Sequence, residues 1–191
     1  MHHFFAYLSK MKHIRRWSLM RNTETENIKE HSFDVALLAH GLAVISNTYF
    51  DGNVDVHHVT ELALFHEAGE VITGDLPTPI KYFDPEIRTA YDRVEQVALG
   101  KLENMLPKEM KAAYHGLLFH EGDPAYRLVK AADKLCAYIK CVEEVKCGNA
   151  EFVKAKERIW EELAGYDLPE VAYFMQHFLP GYELTLDELN D

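Results

Sequence analysis

With 191 residues, 48% of them hydrophobic and 27% charged, the chain has enough apolar material for one ordinary globular domain but not the length for two of typical size. Ten glycines and seven prolines are too few for a collagen-like, low-complexity or many-turned all-β protein. Twenty Lys and Arg against 31 Asp and Glu leave a formal charge of −11, which repels a polyanion and argues against nucleic acid polymers as partners.

Apolar residues recur at three- and four-residue spacing along nearly the whole chain, so the expected fold is all-α, a bundle of seven to nine helices in one domain over residues 1–191. A first helix is expected from Phe4 to about Lys12, and the polar run Arg21 to Glu26 reads as a loop. Asn27 followed by Glu30 has the pattern of a capped helix start, and that helix carries Val35, Leu38, Leu42 and Ile45 on one stripe. Asp55 caps the next helix, expected to run to about Thr73 and stop at Gly74. Gly74-Asp75-Leu76-Pro77-Thr78-Pro79 is a stiff loop, because its two prolines fix φ. Asp84-Pro85 opens a long helix to about Met105, Pro107 a shorter one, and Gly122-Asp123-Pro124 breaks the pattern again. A helix from about Ala125 to Cys147 ends at Gly148, and two more fill the stretch from Asn149 to about Leu179.

Three cysteines, Cys136, Cys141 and Cys147, form no CxxC pair, which fits free thiols in a reducing cytoplasm better than disulfides or a thiolate zinc site. The N-terminal apolar stretch has its charges after it, the wrong order for a signal peptide. No run approaches the ~18 apolar residues that span a bilayer, so no membrane role is expected.

The chemistry concentrates on the helix from Asp55 to Thr73. At 100° per residue, with His66 at zero, Glu70 falls at about 40° and Glu67 at about 100°, on the arc that holds Val59, Ala63 and Val56 one turn or more earlier. Buried carboxylates need a cation or hydrogen bonds, and an imidazole with carboxylates suits Mn, Fe, Co or Zn. His31 lies on the inward stripe of its own helix, and Asp133 lies between Val129 and Ala137. Each also has a plainer reading: a packed core histidine, or an aspartate paired with Lys130 or Lys140.

Taken together, His31, His66-Glu67 and Asp133 resemble the H…HD…D pattern of the HD-domain metal-dependent phosphohydrolases. The stretches RRWSLMRNTETENIKEHS, HEAGEVITGDLPTPIKYF and LVKAADKLCAYIKCVEE are similar to the bacterial 5′-deoxynucleotidase branch of that superfamily. The resemblance implies an HD-domain-like bundle, a homodimer, and hydrolysis of deoxyribonucleoside 5′-monophosphates with one divalent ion, cobalt or manganese or another transition metal such as zinc, iron or copper. It implies metal ligands at His31, His66, Glu67 and Asp133, with Glu70 as the acid that orients or deprotonates the attacking water. Arg16 would orient the phosphate, Trp17 would lie against the sugar and exclude a 2′-hydroxyl, and Asp75 would contact the sugar or leaving oxygen. Leu76, Pro77 and Thr78 would line the nucleoside pocket, with His31, Glu67 and Asp133 also near the substrate.

The sequence departs from the family pattern at Glu67, where the family has Asp. The added methylene moves either the metal or the helix. The alternatives are a pyrophosphohydrolase or phosphodiesterase on another nucleotide, or, with Glu67 spoiling the metal site, a nucleotide-binding or interaction protein without catalysis.

Overall fold

The computed structural model describes residues 1–190, and no strand occurs among them beyond an isolated antiparallel bridge between Arg15 and Asn27. Helix α1 (Phe4–Leu8) tightens into a 3₁₀ turn (Ser9–His13), so the expected first helix is present but changes its winding halfway. Helix α2 (Ile28–Tyr49) starts at its sequence signal. The Asn27 side chain accepts from the Lys29 and Glu30 N–H groups at 3.1 Å, and Glu30 reaches back to the Asn27 N–H. Asp55 likewise caps α3 (Val56–Phe65) by accepting from His57 and His58.

The sequence pattern predicts one helix from Asp55 to Thr73, and here the structure differs. Beyond Phe65 the N–H groups of Ala68, Glu70 and Ile72 bond carbonyls three residues back, and α4 is a single turn (Glu70–Thr73). Three-residue closure turns the chain by about 120° per residue rather than 100°, so angles read from one regular helix do not carry past His66. Gly69 permits this turn to sit close to α6 (Pro85–Glu103): a Cβ there would lie 3.3 Å from Leu99. Gly74, at φ +76°, ends the segment as expected. The Pro-rich loop after it is not irregular throughout, because Thr78–Lys81 forms a one-turn helix, α5, with Pro79 in its first turn.

Then follow α7 (Lys108–Leu118), α8 (Tyr126–Lys146), α9 (Val153–Ala164) and α10 (Pro169–His177). Counting α3 and α4 as the one helix the sequence suggests, the described residues hold nine α-helical segments, an all-α architecture. The main core lies between α2 and α8, where Ala36 and Ala39 on one helix and Ala131 and Ala132 on the other are small and buried, so the backbones can come close. Its remainder is filled by Leu42, Leu62, Leu135 and Phe152. A second, smaller core of Phe4, Ala68, Leu102, Leu106 and Leu118 fixes the turn after His66 against α1, α6 and α7.

Between the first 3₁₀ turn and α2 the chain forms an arm. Its ends are tied together, Arg16 N–H donating to the Glu26 carbonyl and Ile28 N–H to the Ile14 carbonyl, both at 3.0 Å. Its tip is fixed to α8 by Glu144, a buried carboxylate. Glu144 accepts from the Thr23 N–H at 2.9 Å and hydroxyl at 2.7 Å, from Asn149 at 2.8 Å, and from the Lys140 ammonium at 2.5 Å. Lys140 also donates to the Glu24 carbonyl at 2.6 Å. Burial opposes the charge on Glu144, but Lys140, Thr23 and Asn149 together hold its carboxyl well below its ordinary value of 4.5.

Removing one partner of such a pair leaves the other buried and uncompensated. Glu144→Ala is therefore expected to lose about 3–5 kcal/mol of unfolding free energy at pH 7, read from urea transitions. Because the folded carboxyl is held below its unfolded value, its contribution is complete above pH 4.5 and is lost as pH falls further, so the gap between wild type and variant should close in acid.

Candidate metal centre

Three helical elements and the arm converge on one point. His31, in the first turn of α2, is fully buried; its Nε2 lies 3.0 Å from Asp133 Oδ1 of α8 and 3.6 Å from Glu67 Oε1. His66 ends α3, and its Nδ1 bonds the Ala63 carbonyl at 2.6 Å, which puts the ring proton on that nitrogen and leaves Nε2 as a lone pair. The His31 and His66 rings stand 5.5 Å apart, with His66 Nε2 3.8 Å from Glu67 Oε1. One ligand atom from each of His31, His66, Glu67 and Asp133 lies within 4.8 Å of all the others, the only such group of His, Cys, Asp and Glu among the described residues.

The donor set fits a divalent ion. His31 Nε2, His66 Nε2, Glu67 Oε2 and Glu70 Oε2 are buried with no hydrogen-bond partner, a costly arrangement that a cation relieves. Two imidazoles and two carboxylates match the preferences of Mn, Fe, Co and Zn. The extra methylene of Glu67 does not carry its carboxylate away, since Oε1 sits within 4 Å of both imidazoles.

Arg16 brings the positive charge that the overall balance of −11 lacks locally. Its guanidinium is 2.7 Å from Glu67 Oε1, 3.9 Å from Asp133 and 3.5 Å from Glu26. Burial works against its charge, yet Glu67, Asp133, Glu26 and Asp75 hold its pKa above the ordinary value. Burial likewise opposes a charged His31, but Glu67, Asp133 and Glu26 outweigh both burial and Arg16 and push it up to about 9. For Glu70, burial, with Glu67 and Asp75 nearby, pushes the carboxyl up to about 9.

The cluster opens on a cleft of about 1490 Å³ whose wall includes His66, Glu67, Glu70 and Asp133. Arg16, Trp17, Asp75, Leu76, Pro77 and Thr78 are not part of that wall. Asp75, Leu76 and Pro77 are half-buried beside α4, and Thr78 is exposed on α5. Trp17 is half-buried, its ring centre 5.3 Å from that of Phe152 and its indole N–H donating to Glu26 at 2.9 Å. The alternative partners considered for Asp133 are otherwise engaged: Lys140 pairs with Glu144, and Lys130 lies over the Tyr126 ring.

Sequence reading missed Glu26. It touches Arg16, Trp17 and His31 at once. It sits in a segment without periodicity, where spacing carries no information about direction, and no sequence signal marked it.

A family model described as 5′-deoxynucleotidase YfbR-like matches residues 3–182. A 5′-deoxynucleotidase of Yersinia pestis (strain Pestoides F) is 50% identical over 192 aligned positions, covering 100% of this chain and 98% of that protein. Among solved structures, an HD-domain phosphohydrolase from Listeria innocua superposes with a TM-score of 0.78 at 23% identity, over 94% of this chain and 87% of that one. A cyanophage S-2L HD phosphohydrolase bound to dA and one catalytic Zn²⁺ superposes at 0.63 with 23% identity, over 92% and 96%. These structures share the fold.

If the cluster takes a divalent ion, adding Mn²⁺, Co²⁺ or Zn²⁺ at 100 times its dissociation constant should stabilise the protein by about 2.7 kcal/mol, seen as a higher Tm by calorimetry. Asp133→Asn or His66→Gln should remove most of that shift, and an undiminished shift in both would place the ion elsewhere.

Proposed function

The chain belongs to the 5′-deoxynucleotidase YfbR-like family, and from that premise we propose that it hydrolyses deoxyribonucleoside 5′-monophosphates to deoxyribonucleoside and phosphate with one divalent ion. The observation that carries this reading is the convergence of His31, His66, Glu67 and Asp133 within 4.8 Å, the last three of them on the wall of an open cleft. These four would hold the ion, which when bound supplies Lewis-acid activation of water and neutralises phosphate charge. Cobalt or manganese is the proposed ion, with zinc, iron and copper as further candidates for the same donors.

The chain's own groups supply the rest. Glu70 lies three residues beyond Glu67 with an unpartnered Oε2, suited to orient the attacking water. With a cation bound beside it, its carboxyl would be drawn down from the value that burial sets and so would accept the water's proton. The Arg16 guanidinium pairs with phosphate oxygens through its planar fork. As the P–O5′ bond breaks, Asp75 would contact the sugar or the leaving oxygen. Trp17, next to Arg16 on the arm, lies against the sugar and leaves no room for a 2′-hydroxyl, while Leu76, Pro77 and Thr78 border the nucleoside. We place the activity in the cytoplasm, in keeping with three unpaired cysteines, and with mononucleotides rather than polymers, in keeping with the acidic charge. No helix among the described residues is long and apolar enough to cross a membrane.

Phosphate release from a panel of nucleotides with Co²⁺ or Mn²⁺ tests this. Deoxyribonucleotides should be split and ribonucleotides spared, and no phosphate from any dNMP would defeat the proposal. Glu70→Ala should lower kcat by at least 10²-fold while metal affinity is kept; loss of metal instead would make Glu70 a ligand.

We further propose a homodimer through the outer face of α6. Of its nineteen residues Ala98 and Leu102 are buried, whereas Ile87 and Val94, two turns apart, are 39% and 52% exposed, with Phe83 at 83% one turn before Ile87. Light scattering on the eluted protein should give twice the 22.0 kDa chain mass, and Val94→Asp should halve it.

A further inference from the structure

We propose that Glu26 is a positioning residue that sets the metal-binding imidazole of His31 and the sugar-facing ring of Trp17 together. The inference deepens the functional reading above and rests on it. The two oxygens of one carboxylate divide the work. Oε1 lies 3.1 Å from His31 Nδ1 and 3.5 Å from Arg16 Nε, while Oε2 accepts from the Trp17 indole N–H at 2.9 Å. Glu26 Oε1 is within ion-pair distance of Nδ1 but not aligned on it as a hydrogen bond in this structure. With an ion held by Asp133 and Glu67 on the Nε2 side, Glu26 is the carboxylate left to take the ring proton at Nδ1, which leaves Nε2 as the lone-pair ligand.

On the other side, Trp17 has φ +56°, a conformation that costs a non-glycine residue about 1–3 kcal/mol and persists only when its surroundings impose it. The indole bond to Glu26, the Phe152 ring and the Asn22 amide on the Trp17 carbonyl impose it here. The backbone closes the unit, because the Arg16 N–H donates to the carbonyl of Glu26 itself. Glu26 thus ties the arm that carries Arg16 and Trp17 to the helix that carries His31. A residue serving packing alone would make no contact with both the ligand and the sugar-facing ring.

The test is Glu26→Gln, which keeps size but replaces one accepting oxygen with an amide that cannot accept. Titration of the purified protein with Mn²⁺ alone, followed by calorimetry, should show affinity 10- to 100-fold weaker than wild type. The ratio of kcat/KM for dAMP to that for AMP should fall in the same variant. Trp17→Phe, which removes the indole N–H and leaves the carboxylate, should lower the ratio but leave Mn²⁺ affinity at the wild-type value. Glu26→Gln with unchanged Mn²⁺ affinity, or with an unchanged dAMP preference, would overturn the proposal. Trp17→Phe with weakened Mn²⁺ binding would overturn it too, since the ring would then support the site by packing. Should wild type split no dAMP, the functional reading fails by itself, and the Mn²⁺ titrations still decide whether Glu26 sets His31.

Discussion

Two imidazoles, a guanidinium and the Glu67 carboxylate are crowded into a space largely withdrawn from water, with Asp133 at its open edge, and the surrounding helices are arranged to keep them there. Each of these groups costs several kcal/mol to bury alone. Together they are tolerable, because Arg16 and the His31 imidazole each lie within 4 Å of both the Glu67 and the Asp133 carboxylates. The alanines of α2 and α8 allow the approach that brings His31 to Asp133. The tightened turn after Phe65 brings Glu67 and Glu70 to the same side, and the second core fixes that turn from behind.

The arm before α2 is the less regular half of this design. It has no helix of its own, and its order comes from Glu144 and Lys140 of α8 at its tip and from backbone bonds at its root, Ile28 N–H to the Ile14 carbonyl and Arg16 N–H to the Glu26 carbonyl. A flexible Arg16 would lose entropy on meeting a phosphate, and fixing the arm beforehand removes part of that cost. On the proposed role of Arg16, this is the service that the buried Lys140–Glu144 pair performs.

Much of the fold was legible in the residues. The Asn27–Glu30 box, the Asp55 cap, Asp84-Pro85 and the stop at Gly74 are local signals, and each is found where the pattern put it. The inward stripe of α2 correctly turned His31 to the core. What the pattern misjudged was the winding after Phe65, because a single angle per residue cannot register a switch to three-residue hydrogen bonding. The meeting of His31, His66, Glu67 and Asp133 was suggested by resemblance to the H…HD…D pattern and by no periodicity, since their convergence depends on how α2, α3 and α8 cross. Glu26 was invisible for a related reason: its partners are set by the arm's path across the bundle, and the chain around it has no repeat to betray a face.

All of this turns on a cation between the two imidazoles and the two carboxylates. Crystals soaked in Mn²⁺ and measured at the manganese edge give the most direct view. One anomalous peak should appear about 2 Å from His31 Nε2 and His66 Nε2, with Glu67 and Asp133 closing on it and Arg16 drawn back. A strong peak anywhere else, or none there at saturating Mn²⁺, would contradict the metal centre and the chemistry built on it.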